Sequence, residues 1–231
     1  MDDNDRLKQQ AALQAVALVQ SGMTLGLGTG STAKQFVSEL GRRLAAGELT
    51  DIVGVPTSQA TARQAEALGI PMSELGAGGV DLAVDGMDEY DDRLDAIKGL
   101  GGALLREKVV AAAATTFVLI GDSTKHVTRL GDKAPVPVEV AVFGWRRTAR
   151  RLEDLGAVPT LRLVDGVAFV SDNGNLILDC SFPAGLRPAA LSRDLCQVPG
   201  VLAHGLFLGM AHRAFVATPT GILDLVGSHA R

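Results

Sequence analysis

Four ionisable side chains between residues 81 and 108 have the types and the spacing that proton-transfer chemistry requires. Asp85 and Asp88 close one apolar stretch, and Lys98 closes the next one beside a glycine-rich turn. Glu107 lies in the helical pattern that follows this turn. Carboxylates act as general acids and bases, and a lysine can stabilise a negatively charged oxygen. If these groups meet in one cleft, the chain is an enzyme that moves protons on a small substrate.

A second glycine-rich turn, upstream of these residues, is suited to hold an anion. It is the run Gly26-Leu27-Gly28-Thr29-Gly30-Ser31-Thr32, between an apolar stretch and a helical pattern. Backbone N–H groups and the helix dipole attract anions at such a junction. Hydroxyl groups that could bind a sugar or a phosphate belong to Thr29, Ser31, Thr32, Thr57 and Ser58. A plain strand-to-helix turn is the alternative, but the hydroxyls favour a small phosphorylated substrate.

Two nucleotide-binding motifs do not fit this turn. A Walker A loop has a lysine directly before its Ser or Thr, and no lysine precedes Ser31 or Thr32. A dinucleotide-binding fingerprint has a third glycine where Ser31 stands, and an acidic residue at the end of the next strand. Here that strand ends in Val55-Pro56-Thr57-Ser58. ATP and NAD are therefore disfavoured.

The acidic run from Asp85 to Asp95 admits other interpretations. Its spacing does not match a calcium-binding loop, whereas spacing alone leaves a magnesium loop open. We expect solvated surface positions for Glu89, Asp91, Asp92 and Asp95. A run of charged residues such as Arg106-Glu107-Lys108 is typical of a solvated helix surface. Only the proximity of Glu107 to the lysine turn favours a role for this residue in the cleft. Lys125, at the end of a further buried stretch, is another candidate for the same cleft.

Strands that alternate with helices must position these residues. We predict strands at 23–28, 51–55, 80–85, 94–98 and 116–121, and helices at 5–20, 31–44, 59–68 and 102–114. Ser31 is a natural N-cap for the second helix. Helices between successive strands indicate parallel pairing and an α/β fold.

The pattern changes in the second half of the chain. An extended segment at 134–140 contains prolines, and the predicted elements that follow are a helix at 145–155, strands at 161–164, 167–171 and 176–180, a helix at 188–197 and a strand at 201–208. Asp172-Asn173-Gly174-Asn175 is a hairpin turn signal, and 214–225 is a second hairpin. We therefore predict a Rossmann-like, mostly parallel sheet domain at 1–131 and 208–231, and a smaller α+β (ferredoxin-like) domain at 132–207.

Composition excludes several classes of protein. Of 231 residues, 47% are hydrophobic and only 4% aromatic, which fits α/β layers. The net charge of −4 and the absence of a basic run predict no nucleic-acid partner. We find no signal peptide and no long apolar span, and expect a soluble cytoplasmic protein with no membrane partner. Cys180 and Cys196 are expected to be free thiols in a reducing compartment.

Six segments resemble, in order and spacing, ribose-5-phosphate isomerase of type A. They are GLGTGSTA at 26–33, VDGMDE at 84–89, KGLGGALLREK at 98–108, GDSTKHV at 121–127, APVPVEV at 134–140 and DNGN at 172–175. The resemblance implies reversible isomerisation of D-ribose 5-phosphate and D-ribulose 5-phosphate in the non-oxidative pentose phosphate pathway. It also implies that no metal and no organic cofactor take part, and that the chain forms a homodimer or homotetramer.

The resemblance assigns a role to each candidate residue. Glu107 would be the base that moves a proton between C2 and C1 through an enediolate, and Lys98 would stabilise the enediolate oxygen. Asp85 would help to open the furanose ring and transfer protons between oxygens, supported by Asp88. The substrate-binding residues would be Thr29, Gly30, Ser31, Thr32, Asp85, Gly86, Met87, Asp88, Lys98, Gly99, Leu100, Gly101 and Lys125.

The sequence departs from the family pattern at two positions of the site. Leu100 interrupts the glycines that usually follow the lysine, and we expect its Cβ to narrow the site or to change the turn. Met87 replaces a usual alanine, which we interpret as a packing change.

Two other functions are compatible with an α/β fold that binds a sugar phosphate. A sugar-phosphate sensor should lack the base, and a glucosamine-phosphate deaminase should have a histidine near the acids. Glu107 and Lys98 are present, and the histidines lie elsewhere, at His126, His204, His212 and His229.

Overall fold

A computed structural model of the chain describes residues 3–183 and 185–227. Within this part, the helices are α1 (Asp3–Val16), α2 (Ser31–Ala45), α3 (Gln59–Ala67), α4 (Leu104–Ala112), α5 (Trp145–Asp154) and α6 (Pro188–Cys196). The strands are β1 (Thr24–Leu27), β2 (Val53–Pro56), β3 (Val80–Gly86), β4 (Glu89–Tyr90), β5 (Ala96–Ile97), β6 (Ala114–Asp122), β7 (Val136–Val140), β8 (Val158–Leu161), β9 (Leu163–Val164), β10 (Val167–Ala168), β11 (Leu176–Ser181), β12 (Val201–His204), β13 (Leu206–Phe207), β14 (Arg213–Thr218) and β15 (Gly221–Val226).

The largest sheet has the strand order β15-β14-β6-β3-β1-β2. All neighbouring pairs in it are parallel except the β14–β15 hairpin. The predicted mostly parallel sheet and the predicted C-terminal hairpin are therefore confirmed. Because the carboxyl ends of parallel strands meet at one edge, the residues that follow β1, β2, β3 and β6 lie together there.

Helices cover both faces of this sheet, and the alternation of its strands explains why. Leu82 and Val84 of β3 pack into a core with α1 and α2, whereas Ala83 packs on the opposite face with α4. β6 divides in the same way, with Val118 on the first face and Phe117 on the second. Successive strand side chains point to opposite faces, so a strand that is apolar throughout needs cover on both.

A separate antiparallel sheet has the strand order β12-β7-β11-β8. Together with α5 and α6, whose apolar side chains share its core, it has the predicted βαββαβ element order. The division at residues 132 and 207 stays a prediction. Residues 1, 2 and 228–231 of the predicted larger domain, and residue 184 of the smaller one, lie outside the described residues.

Four predicted strands differ from the structure. The expected strand at 161–164 is divided at Arg162 between β8 of the four-stranded sheet and β9 of a two-stranded sheet. The expected strand at 94–98 is reduced to β5, in a small antiparallel sheet with β4 and β13. The expected strand at 201–208 is split between two sheets at Gly205, where a Cβ would lie only 2.3 Å from the Lys98 carbonyl oxygen. The expected strand at 167–171 is shortened to β10, which pairs with β9. The hairpin expected between this strand and β11 is reduced to one bridge, between Val170 and Leu176.

Among the described helices, none combines the length and the apolar character needed to cross a membrane. Both cysteines are free thiols, with Cys180 buried and Cys196 exposed.

Candidate active site

A cleft of about 190 Å³ opens at the sheet edge where β1, β3 and β6 end. It is lined by Lys8, Thr29, Gly30, Ser31, Thr32, Gly86, Met87, Asp88, Lys98, Gly99, Gly101, Glu107, Asp122, Thr124 and Lys125. Most of these residues belong to the set that the sequence suggested. The structure therefore brings together segments that lie far apart along the chain.

A buried lysine lies between two buried carboxylates at the base of the cleft. The Lys98 Nζ is 3.1 Å from Asp85 Oδ2 and 3.3 Å from Glu107 Oε2. It also donates a hydrogen bond of 2.6 Å to the Gly86 carbonyl oxygen. Each of the three side chains is at most 4% exposed. In such surroundings a charge is screened little by water, so these three groups control one another's protonation.

The pKa values of this cluster follow from burial and from the neighbouring charges. Burial and the Asp85 carboxylate raise the pKa of Glu107 to about 8, although Lys98 opposes the shift. Burial also raises the pKa of Asp85, again opposed by Lys98. For Lys98, burial favours the neutral form, but the two carboxylates outweigh it and raise the pKa of the ammonium. The lysine is therefore held as a cation beside a carboxyl that can gain or lose a proton near neutral pH.

Asp85 is fixed by the turn that follows β1. Its Oδ1 accepts hydrogen bonds from the Thr29 N–H at 3.0 Å and from the Gly86 N–H at 2.7 Å. The close approach depends on Gly28, because a Cβ there would lie 2.3 Å from Asp85 Oδ1 and 2.6 Å from its Cα. Asp85 lies beneath Lys98 and is not among the residues that line the cleft.

Glu107 lies in the first turn of α4, because this helix begins at Leu104, two residues later than predicted. At that position the helix dipole favours the ionised carboxylate and partly offsets the effect of burial. Its Oε2 has no hydrogen-bond partner among the described residues. This oxygen instead faces the Lys98 ammonium, 3.3 Å away, as an ion pair.

Asp88 holds the turn that follows Lys98. Its Oδ2 accepts a hydrogen bond of 2.9 Å from the Leu100 N–H. The Leu100 side chain is 43% exposed and does not line the cleft, so the expectation that it narrows the site is wrong. The turn uses the backbone of this residue, and its side chain lies outside the site. Met87 is 6% exposed and packs in the core above the sheet, as a packing change would require.

The other end of the cleft has the features of an anion site. The N-cap of α2 is Gly30 with φ +107°, so the predicted Ser31 N-cap is wrong and Ser31 is the first helical residue. A glycine cap has no side chain to satisfy the N–H groups of the first turn, which leaves them available to a ligand. The lysines Lys8 and Lys125 line the same cleft.

Two of the expected hydroxyls lie behind the cleft. Thr57 and Ser58 are buried, and their oxygens lie 2.7 Å and 2.9 Å from Thr29 Oγ1. Ser58 also caps α3 by accepting from the Thr61 N–H. Both residues therefore position Thr29, and neither lines the cleft.

Two acids that were expected on the surface are buried. Glu89 is 0% exposed and accepts hydrogen bonds from three backbone N–H groups, those of Gly131, Lys133 and Ala134. Asp95 is 3% exposed and accepts from the Gly209 N–H at 2.7 Å. Distant backbone donors thus compensate the burial of both carboxylates. Asp92 is exposed, as expected.

The chain is similar to proteins of one known family. The family model of ribose 5-phosphate isomerase A (phosphoriboisomerase A) matches residues 53–221. The chain belongs to the ribose 5-phosphate isomerase A family. A ribose-5-phosphate isomerase A of Roseiflexus sp. (strain RS-1) is 53% identical over 233 residues and covers 100% of both chains.

Solved ribose 5-phosphate isomerases have the same fold. The enzyme from Plasmodium falciparum superposes with a TM-score of 0.94 at 36% identity, over 97% of this chain and 99% of that one. A D-ribose-5-phosphate isomerase in complex with phospho-erythronic acid superposes with a TM-score of 0.93 at 38% identity, over 98% and 100% of the two chains.

Sequence reasoning missed three residues of this ribose 5-phosphate isomerase A cleft, namely Lys8, Asp122 and Thr124. Lys8 had a detectable signal, because it shares the face of α1 with the buried Ala11, Ala12 and Ala15. A lysine on an otherwise apolar helix face needs a reason to be there. Asp122 and Thr124 also had a signal, because they lie in the GDSTKHV segment at 121–127, directly after a predicted buried strand.

The three histidines within the described residues lie outside this cleft. His126 contacts Asp92 at 2.8 Å, His204 is buried, and His212 accepts a hydrogen bond from the Phe117 N–H. His229 lies outside the described residues. Within residues 3–183 and 185–227, no group of three or more His, Cys, Asp or Glu side chains is arranged to hold a metal ion.

Proposed function

We propose that this protein interconverts D-ribose 5-phosphate and D-ribulose 5-phosphate through an enediolate, as part of the non-oxidative pentose phosphate pathway. The observation that carries the proposal is the buried Lys98, 3.3 Å from Glu107 and 3.1 Å from Asp85. The C–H bond next to a carbonyl group is weakly acidic. Its proton is removed at a useful rate when a base accepts it and an electrophile stabilises the negative charge that forms on the carbonyl oxygen. The cluster contains both.

Glu107 is the proposed base. In the open-chain aldose its carboxylate takes the proton from C2, and the electrons of the C–H bond form the C1–C2 double bond of the enediolate. The Lys98 ammonium stabilises the negative oxygen of this intermediate. Glu107 then returns the proton to C1, which leaves the ketone at C2. A pKa of about 8 for Glu107 suits this role, because the carboxyl must both accept and release the proton.

The two aspartates are proposed to open the furanose ring and to transfer protons between O1 and O2. Asp88 lines the cleft and can reach the sugar oxygens directly. Asp85 lies below Lys98 and acts on the sugar through that ammonium group, 3.1 Å away. No metal and no organic cofactor is required, since every proton in this scheme has a donor and an acceptor.

The phosphate is proposed to bind at the opposite end of the cleft. The first turn of α2 offers backbone N–H groups and the hydroxyls of Ser31 and Thr32, and Lys8 and Lys125 supply positive charge. A dianionic phosphate satisfies uncapped N–H groups and lysines at once. The phospho-erythronic acid bound by a relative, a phosphorylated sugar acid, supports this class of ligand.

The remaining assignments concern the whole chain. We propose a cytoplasmic homodimer or homotetramer, in which 1–131 and 208–231 form the catalytic domain and 132–207 form the smaller one. Two free cysteines are typical of a reducing compartment. Exposed apolar side chains in the smaller domain, among them Phe143 and Val167, favour self-association.

One assay tests substrate, reaction and metal independence together. The purified protein should convert ribose 5-phosphate to ribulose 5-phosphate at an unchanged rate after EDTA treatment and removal of the chelator. A protein that is folded but does not form ribulose 5-phosphate would refute the proposed activity. A rate lost with EDTA and restored by Mg²⁺ would refute the metal-free mechanism.

A further inference from the structure

Arg162, a residue of the smaller antiparallel sheet region, contacts the lysine turn of the active site. It follows β8 directly, and its Nη1 donates hydrogen bonds to the carbonyl oxygens of Gly99 and Leu100 at 3.0 Å and 2.9 Å. Both acceptors belong to the turn that begins at Lys98. Arg162 does not line the cleft.

The guanidinium group is itself held in place from two sides. Its Nε donates to Asp179 Oδ2 at 2.9 Å, and its Nη2 donates to the other oxygen of the same carboxylate. It also lies over the Phe169 ring, 5.9 Å from the centroid. The Arg162 side chain is only 11% exposed. A bidentate, stacked and largely buried arginine has a fixed geometry that a lysine does not reproduce.

The opposite side of the turn is held by Asp88. In the Gly99–Leu100 peptide unit, the carbonyl faces Arg162 and the N–H faces the Asp88 carboxylate. A trans peptide directs its C=O and N–H in opposite directions. The Leu100 carbonyl also faces Arg162, so the N–H of Gly101 points towards the side of Asp88, where Gly101 lines the cleft.

Phe169 adds a steric constraint below the turn. Gly102 has φ +82°, and a Cβ at this position would lie 2.4 Å from the Phe169 ring. The turn is thus packed against Phe169 and bonded to Arg162, while α4 with Glu107 begins two residues later. The turn therefore connects Lys98 to the helix that carries Glu107.

We propose that Arg162 is a positioning residue for the isomerase reaction, which fixes the 98–102 turn so that Lys98 and the Gly101 N–H meet the substrate in the reactive geometry. The inference rests on the proposed function. Arg162 does not touch the reacting atoms, so its removal should lower kcat more than it raises KM. Displacement of a catalytic group by about 1 Å can cost about 100-fold in rate.

The test compares R162M and R162K with a matched control, R213M. Arg213 also makes a bidentate pair, with Asp224, and stacks on an aromatic ring, Phe215, but it contacts no residue of the turn. We expect R162M to lower kcat for ribose 5-phosphate by about 10- to 100-fold, with KM within about threefold. R162K should recover part of this loss, and R213M should keep the wild-type kcat per folded molecule.

Hydrogen exchange gives a second readout that requires no substrate. In R162M the amides of Leu100 and Gly102, which are hydrogen-bonded to Asp88 and to the Gly99 carbonyl, should exchange faster, whereas those of the β3 and β6 strands should not. Unchanged exchange in the turn, or a kcat for R162M that matches that of R213M, would overturn the proposal. If the wild-type protein fails to isomerise ribose 5-phosphate, the proposed function fails, and the exchange result still decides whether Arg162 holds the turn.

Discussion

The carboxyl group of Glu107 lies in surroundings that favour its neutral form. Burial and Asp85 raise its pKa to about 8, whereas an exposed glutamate has a value near 4.5. Between these two pH values the folded protein keeps a proton that the unfolded chain has released. The contribution of Glu107 to the free energy of unfolding therefore falls as the pH rises through this window.

This linkage predicts how E107Q changes stability. Glutamine cannot ionise, so the variant should gain stability relative to the wild type from pH 4.5 to 8, and the gain should level off above pH 8. Urea unfolding at pH 5, 6.5, 8 and 9 measures the difference in the free energy of unfolding. A difference that stays constant over this range would show that Glu107 has an ordinary pKa in the folded protein.

At the scale of elements, the approach of β1 to β3 is set by glycines. A Cβ at Gly28 would collide with Asp85 Oδ1 at 2.3 Å and with the Asp85 Cα at 2.6 Å. The end of a side chain can rotate away from an added methyl group, but a backbone atom cannot. The end of β1 would therefore have to move away from β3. The carboxylate under Lys98 would then move with its strand.

We therefore predict that G28A impairs both stability and catalysis. Overpacking of this kind costs about 1–3 kcal/mol, and kcat/KM should fall by more than about tenfold. The matched control is G54A in β2, where the added Cβ would meet the end of the Leu27 side chain at 2.6 Å. G54A should lose stability but keep its turnover per folded molecule. Equal kinetic effects of the two variants would contradict the link between Gly28 and Asp85.

The elements also show how far sequence can predict this structure. Helix and strand periods identify the parallel sheet, and the motif resemblance identifies most of the residues that line the cleft. The burial of Glu89 and Asp95 could not be predicted, because their hydrogen-bond donors lie 42 and 114 residues away in the chain. The split at Gly205 depends on the Lys98 carbonyl and on Pro137, which are also far from it in sequence. Such contacts exist only once the sheets have assembled.

At the scale of the whole molecule, apolar surface is concentrated in the smaller antiparallel region. In the hairpin formed by β9 and β10, the side chains of Leu163 and Val164 are each 54% exposed, and that of Val167 is 69% exposed. Phe143, which precedes α5, is 96% exposed. Exposed apolar side chains that are grouped, like those of the hairpin, are typical of protein interfaces. The proposed homodimer or homotetramer would bury them against a second copy.

This arrangement predicts a difference between two equally exposed valines. V167E should shift the protein towards a smaller species, because a buried unpaired carboxylate opposes association. V226E, on β15, changes a residue that is 70% exposed and should leave the assembly unchanged. Light scattering coupled to size-exclusion chromatography measures both masses. A monomeric wild type, or a V167E assembly of wild-type mass, would contradict an interface at the β9–β10 hairpin.

If Glu107 moves the proton between C2 and C1, replacing its carboxylate by an amide in E107Q should stop turnover. The matched control is E139Q, because Glu139 is also fully buried and its Oε2, like that of Glu107, has no hydrogen-bond partner among the described residues. Glu139 does not line the cleft.

With ribose 5-phosphate as substrate, E107Q should lose at least about 1000-fold in kcat while KM stays within a few-fold of the wild-type value. E139Q should keep the wild-type kcat per folded molecule. A folded E107Q that turns over within tenfold of the wild type would contradict the assignment of the base.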